Sequence, residues 1–246
     1  MVYVTSDLHG FPLSHFLTLL KQADFGPEDD LYILGDVIDR GDGGIELLCW
    51  IMEQENVELL LGNHEVMLLA CDFLFQEITD DMLANLTAEE LEVCTNWLSN
   101  GAHPTILALH KLYKNTPERV IDLLDFLRSA PLYEIISVKK QDFILTHSGL
   151  GNFRKEKRLS EYTAQELLLN RPNISDRYFD RAITVFGHTP VEYLNPSQPD
   201  RMLRTDTWIN VDTGSACGRS PMLLRLDDMQ EFYYNQSPQK SSPQSV

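Results

Sequence analysis

Short apolar, β-branched runs recur early in the chain, at Val2–Thr5, Leu31–Leu34 and Val57–Leu61. Between them lie Ser14–Ala23, with Phe16, Leu17, Leu19 and Leu20 at mixed helical spacing, and the apolar stretch Ile45–Met52. Runs this short, bounded by turn residues such as Gly26-Pro27, read as buried strands. Their alternation with helices predicts parallel βαβ units. Beyond residue 65 the strand signal stops. Thr87-Ala88-Glu89-Glu90 has the form of a capping box ahead of Leu91, Cys94, Trp97 and Leu98. Thr116-Pro117 predicts an N-cap with proline in the first helical position, ahead of Val120, Leu123, Leu124 and Leu127. Residues 65–130 are therefore expected to form a helical insert within the same domain.

Strand signals return with Tyr133–Val138 and Asp142–Thr146, a hairpin expected to turn at Lys139-Lys140-Gln141. A polar stretch over 150–180 contains a second capping box, Thr163-Ala164-Gln165-Glu166. Ala182–Phe186 and Trp208–Val211 predict further strands, and Met222–Leu226 with Glu231–Tyr234 a closing antiparallel pair. From Gln236 onward Ser, Pro, Gln and Lys dominate, which predicts a disordered tail over 236–246 behind a single domain over 1–235.

Composition narrows the class without fixing the chemistry. With 246 residues, 43% hydrophobic and 23% charged, the chain has the make-up of a soluble globular protein. No apolar run approaches the ~20 residues that cross a bilayer. Met1 leads straight into Val2-Tyr3-Val4-Thr5 with no export signal, so a cytoplasmic protein without membrane contact is expected. A net charge of −17 disfavours nucleic-acid partners, whose affinity comes from Lys and Arg on phosphates. It leaves phosphorylated substrates open, because bound divalent cations would reverse the sign locally. Cys49, Cys71, Cys94 and Cys217 are widely spaced and read as reduced thiols, buried on helices, with Cys217 accessible in a Gly-rich loop.

The chemistry is concentrated at the strand ends. Five clusters set Asp, His or Asn beside Gly: Asp7-Leu8-His9, Gly35-Asp36-Val37-Ile38-Asp39-Arg40-Gly41, Gly62-Asn63-His64-Glu65, His147-Ser148-Gly149 and Gly187-His188. Each follows a predicted strand, where α/β sheets bind ligands. Carboxylate and amide oxygens mixed with imidazole nitrogens suit Mn, Fe or Zn better than Ca or Cu(I).

In order and spacing these clusters resemble the calcineurin-like metallophosphoesterase superfamily, and within it the phosphoprotein phosphatase branch, over residues 2–226. The resemblance implies an α/β/β/α sandwich and two divalent metal ions, Mn2+ foremost with Fe or Zn as alternatives. Asp7, His9 and Asp36 would bind one metal; Asn63, His147 and His188 would bind the other, with Asp36 bridging. A bridging hydroxide would attack phosphorus. His64 would protonate the leaving oxygen with Asp39 as its partner, and Arg40 would clamp phosphate oxygens. Asn63 would also face the substrate phosphate. Arg171 matches a second phosphate-binding arginine of bacterial and phage members.

Two enzymatic functions follow. A serine/threonine-type protein phosphatase acting on a phosphorylated protein or peptide is favoured by Asp39 and Glu65. The alternative resembles the symmetrical diadenosine tetraphosphatases, which act on a nucleotide and often lack the acid at the Asp39 position. A third possibility, a non-catalytic scaffold, fits poorly with a complete ligand set. Outside the motifs, His15, His103 and His110 read as surface or core histidines. Asp42 and Glu65 read as supporting or solvated groups rather than ligands, and Asp212 as closing a turn with Thr213 and Gly214.

Overall fold

The computed structural model describes residues 1–75 and 87–234. The tail expected over 236–246 and part of the expected insert, 76–86, lie outside the described residues.

The first expected βαβ units are present. Strand β1 (Val2–Thr5) is followed by helix α1 (Leu13–Gln22), β2 (Asp30–Ile33), α2 (Gly44–Met52), β3 (Val57–Leu59) and α3 (Asn63–Ala70). β1 pairs in parallel with β2, and β2 with β3. The closing pair, β9 (Met222–Arg225) and β10 (Gln230–Tyr233), returns to this sheet, with β9 antiparallel to β1, giving the order β10-β9-β1-β2-β3. The second sheet is built from β4 (Tyr133–Val138), β5 (Gln141–Thr146), β6 (Ala182–Phe186), β7 (Leu203–Arg204) and β8 (Trp208–Asn210), in the order β4-β5-β6-β8-β7. β4 and β5 form the predicted hairpin, with Val138 opposite Gln141 and both Lys139 and Lys140 at positive φ. A two-residue loop with that backbone matches the right-handed twist of the strands it joins.

Strand periodicity sorts the side chains into layers. In β1 and β9, Tyr3 and Leu223 face the helices while Val4, Met222 and Leu224 face the second sheet. Phe143, Leu145, Val185 and Ile209 meet them from that sheet. On its far face Phe186 and Trp208 pack under Leu150, Tyr162, Leu167 and Tyr178, beside the short helix α7 (Ala164–Leu168). The result is the four-layer α/β/β/α sandwich. No helix among the described residues is long and apolar enough to cross a membrane.

Between β3 and β4 the described residues hold only helical elements: α3, a 3-10 turn at Asp72–Phe75, α4 (Ala88–Ser99), α5 (His103–Asn115) and α6 (Pro117–Ser129). Thr87 and Glu90 cap α4 reciprocally, Glu90 N–H donating to Thr87 Oγ1 at 3.2 Å and Thr87 N–H to Glu90 Oε2 at 2.8 Å. Thr163 and Glu166 do the same for α7. Thr116 stands before Pro117 as expected, yet its side chain makes no cap. It also ends α5, its N–H donating to Leu112 O at 2.8 Å, and that shared position leaves its φ and ψ at −150° and 75°. The short elements β7 and α8 (Val191–Leu194) had no clear signal in the sequence.

Candidate metal centre and active site

The loops after β1, β2 and β6 are built from unusual backbone. Asp7, His9, Asp36, Asp39, Arg40 and His188 all have φ between 44° and 69°. They are six of the eleven non-glycine residues with positive φ among those described. Each such residue costs of order 1 kcal/mol or more, so surrounding contacts must hold it. Asp7 N–H donates to Gly35 O (3.1 Å), His9 N–H to Asp36 O (2.9 Å) and Gly10 N–H to Val37 O (2.7 Å), stitching the first loop to the second. His64 N–H donates to Asp36 Oδ1 (3.0 Å) and His188 N–H to Asp7 Oδ2 (2.8 Å). Glu65 is fully buried and does the most: its carboxylate accepts from the N–H groups of Asp36, Val37, Ile38 and Gly62 at 2.8–3.3 Å. The crowding explains two glycines. A Cβ on Gly62 would lie 2.2 Å from Asp36 Oδ1, and one on Gly187 would lie 2.1 Å from Asp7 Oδ2.

The six candidate ligands converge from both sheets. His147 Nδ1 faces Leu34 O at 2.7 Å, and a carbonyl can only accept, so the proton is on Nδ1 and Nε2 points inward. There it meets Asn63 Oδ1 at 3.0 Å, His188 Nδ1 at 3.2 Å and Asp36 Oδ2 at 3.4 Å. His9 repeats the device, with Nδ1 at 3.2 Å from Ile38 O and Nε2 at 3.7 Å from both Asp7 Oδ1 and Asp36 Oδ2. Acceptor atoms thus face one another around Asp36, which belongs to both donor groups. Such an arrangement calls for cations. Burial pushes His9 and His188 down to about 3, leaving bare nitrogens. Burial also opposes charge on His147, but Asp36 outweighs it and holds that imidazole up to about 10. Asp36 is itself held well below the usual carboxylate range: burial raises it, and His147 and His64 more than reverse that. The donor set fits two divalent ions.

His64 is committed differently. Its Nδ1 lies 2.6 Å from Asp39 Oδ2, both side chains being buried. Burial works against a charged imidazole here, yet Asp36 and Asp39 outweigh it and keep the pKa above its ordinary value, which favours a proton donor. The Nη2 of Arg40 lies 3.4 Å from His64 Nε2. Two helices of the intervening stretch brace the pair. Trp97 Nε1 on α4 donates to Asp39 Oδ2 at 2.8 Å. Thr105 Oγ1 on α5 donates to Asp39 Oδ1 at 2.6 Å and accepts from Asp39 N–H at 2.9 Å. Trp97 had only a packing signal in the sequence, and Thr105 carried none.

A cavity of about 590 Å3 opens over this cluster. Asp7, His9, Asp36, Asn63, His64 and His188 line its floor, with exposed Arg40 and Arg171 also on its walls. Asn100, Asn173 and Tyr193 join them; Tyr193 is 69% exposed, an aromatic that motif searching does not find. Asp212 lines the cavity too, and its Oδ1 accepts from Gly214 N–H at 2.9 Å, closing the expected turn. His15 stacks on Tyr234 and His110 packs on Phe75, away from the cluster. Asp42 is exposed, and His103 begins α5. Of the four thiols only Cys71 is buried; Cys49 and Cys94 are half-buried because their helices carry them at the edge of the packed face, and Cys217 is exposed.

Comparison with known proteins identifies the family and the fold. The model of the calcineurin-like phosphoesterase family matches residues 1–211. A symmetrical bis(5'-nucleosyl)-tetraphosphatase of Actinobacillus pleuropneumoniae is 34% identical over 192 residues, covering 76% of this chain and 58% of its own length. Its counterpart in Chromobacterium violaceum is 37% identical over 101 residues, 39% of this chain and 36% of that protein. The chain thus spans less than two thirds of these relatives' length. Among solved structures, a protein proposed to be a diadenosine tetraphosphatase superposes with a TM-score of 0.59 at 15% identity, covering 96% of this chain and 94% of that one. A cold-active protein tyrosine phosphatase gives 0.54 at 22% identity, over 91% and 72%. Both share the fold.

Proposed function

The chain belongs to the calcineurin-like phosphoesterase family, and from that premise we propose that it is a binuclear-metal-dependent phosphohydrolase that cleaves a phosphoanhydride bond of dinucleoside polyphosphates. The observation that carries the choice of substrate is the likeness, at 34% identity over three quarters of the chain, to a symmetrical bis(5'-nucleosyl)-tetraphosphatase. A cavity with arginines on its walls and an exposed tyrosine suits a substrate with several phosphates and a base.

In this reading Asp7, His9 and Asp36 hold one cation and Asn63, His147 and His188 the other, with Asp36 shared. Mn2+ is favoured by the mixed oxygen and nitrogen donors, with Fe or Zn as alternatives. When bound, the cations supply positive charge against the phosphoryl oxygens and lower the pKa of water for attack. Arg40 presents a planar fork to two phosphate oxygens, and Arg171 takes a neighbouring phosphate. His64, held protonated and oriented by Asp39, gives its proton to the leaving oxygen.

That last feature supports a second reading, a serine/threonine-type phosphatase. A departing alkoxide needs a proton more than a departing phosphate does, and the buried His64–Asp39 pair is built to supply one. Purified protein with Mn2+ is offered diadenosine tetraphosphate and phosphoserine peptides side by side. Conversion of the dinucleotide to ADP at a kcat/KM well above that for the peptides supports the first reading; the reverse order replaces it with the second.

A further inference from the structure

Away from the cavity, two nucleophilic side chains touch. The sulfurs of Cys71 and Cys94 are 3.3 Å apart, although 23 positions separate them in the chain. Cys71 ends α3 and Cys94 lies within α4. A disulfide needs about 2.05 Å between sulfurs, so the two thiols are in contact without being bonded. The pair has an inside and an outside: Cys71 is fully buried and Cys94 half-buried. Cys94 is the more accessible of the two, so an oxidant meets it first, while burial, reinforced by Cys94, pushes the Cys71 thiol up to about 12.

We propose that Cys71 and Cys94 form a reversible intrachain disulfide, an oxidation site distinct from the metal cluster. With hydrogen peroxide as oxidant, the Cys94 sulfur attacks one peroxide oxygen, the O–O bond breaks, and a sulfenic acid and one water result. The Cys71 sulfur then attacks the Cys94 sulfur, its proton leaves with the hydroxyl as a second water, and the S–S bond forms. Two thiols lose two electrons and one peroxide gains them. A dithiol reverses the step by exchange. Contact between the sulfurs makes the second step intramolecular, which favours it over oxidation of Cys94 beyond the sulfenic state. The bond would join the helix that opens with Asn63 and His64 to the helix whose Trp97, one turn beyond Cys94, steadies Asp39.

The test is chemical and independent of substrate. Full-length protein is exposed to stoichiometric hydrogen peroxide, free thiols are alkylated, and unreduced peptides are mapped by mass spectrometry. The expected product is a cross-linked pair of peptides carrying Cys71 and Cys94, lighter by two hydrogens, with Cys49 and Cys217 alkylated. Dithiothreitol restores both thiols. Cys94→Ser, at a half-exposed position that tolerates the change, abolishes the cross-link. Sulfinic or sulfonic acid at Cys94 with Cys71 still alkylatable after denaturation would overturn the proposal, as would peroxide products confined to Cys217.

Discussion

At the scale of single residues, the site depends on which atoms carry protons. His64→Asn should slow turnover by roughly 10²–10⁴-fold if its proton assists the leaving group. Asn63 and the other candidate ligands stay in place, so metal content should be unchanged. The loss should be larger for phosphoserine than for p-nitrophenyl phosphate, whose phenolate leaves without help; equal losses would count against proton donation. Glu65 makes a different prediction. Four backbone N–H groups point at its carboxylate, and Glu65→Gln turns one oxygen into a donor facing donors. Groups that orient metal ligands typically contribute about 10–100-fold in affinity. Metal titration of the variant by calorimetry should show a weakening of that order, and an unchanged affinity would reduce Glu65 to a packing role. Residues of this kind were only half legible in the sequence. Asp7, His9, Asp36, Asn63, His147 and His188 announce themselves by their neighbours and order. Glu65 could be set aside as a ligand, but three of its four donors come from a loop 27–29 positions away that no local pattern links to it.

Among the elements, the helices between β3 and β4 do more than cover the sheet. Trp97 of α4 and Thr105 of α5 hold Asp39 from two sides. Trp97→Phe keeps the ring in the core and removes the N–H. A hydrogen bond to a charged group is worth about 1.5–3 kcal/mol, and part of that loss should fall on Asp39. The variant should fold, bind metal, and lose more activity on phosphoserine than on p-nitrophenyl phosphate, repeating the His64→Asn trend more weakly. A uniform loss on both substrates would assign Trp97 to packing alone. Sequence periodicity found the strands that end at each motif because apolar runs and turn residues coincide there. It found α4 and α7 through their capping boxes. It could not find the contact between Trp97 and Asp39, because helical spacing says which face is apolar and nothing about what that face meets. β7 and α8, at two and four residues, are too short to have a period.

For the whole molecule, the site is a seam between two sheets. Asp7, Asp36 and Asn63 approach from the first, and His147 and His188 from the second, with acceptors facing acceptors across the gap. Cations should therefore stabilise the fold itself. Ligand present at 100 times its dissociation constant adds about 2.7 kcal/mol, so Mn2+ should raise the melting temperature by several degrees and a chelator should reverse it. Identical melting curves with and without metal would contradict a seam closed by cations. Sheet membership was the least legible part of the fold. The closing pair was predictable as a hairpin, but its attachment beside β1 depends on the path of the entire chain.

That attachment has a consequence for synthesis. Val4 of β1 pairs with Val4's register partner Leu224 in β9 on one side and with Tyr32 in β2 on the other. A nascent chain emerging N-terminus first can assemble β1, β2 and β3, but one edge of β1 stays open until residues 222–225 leave the ribosome. His147 and His188 are also made late. Until residues 188–225 emerge, the growing polypeptide has an unpaired apolar strand edge and an incomplete set of candidate ligands. That is the condition under which nascent proteins aggregate or recruit chaperones. Closure of the sheet beside β1 and completion of the candidate ligand set should then occur close together, once residues 188–225 have emerged.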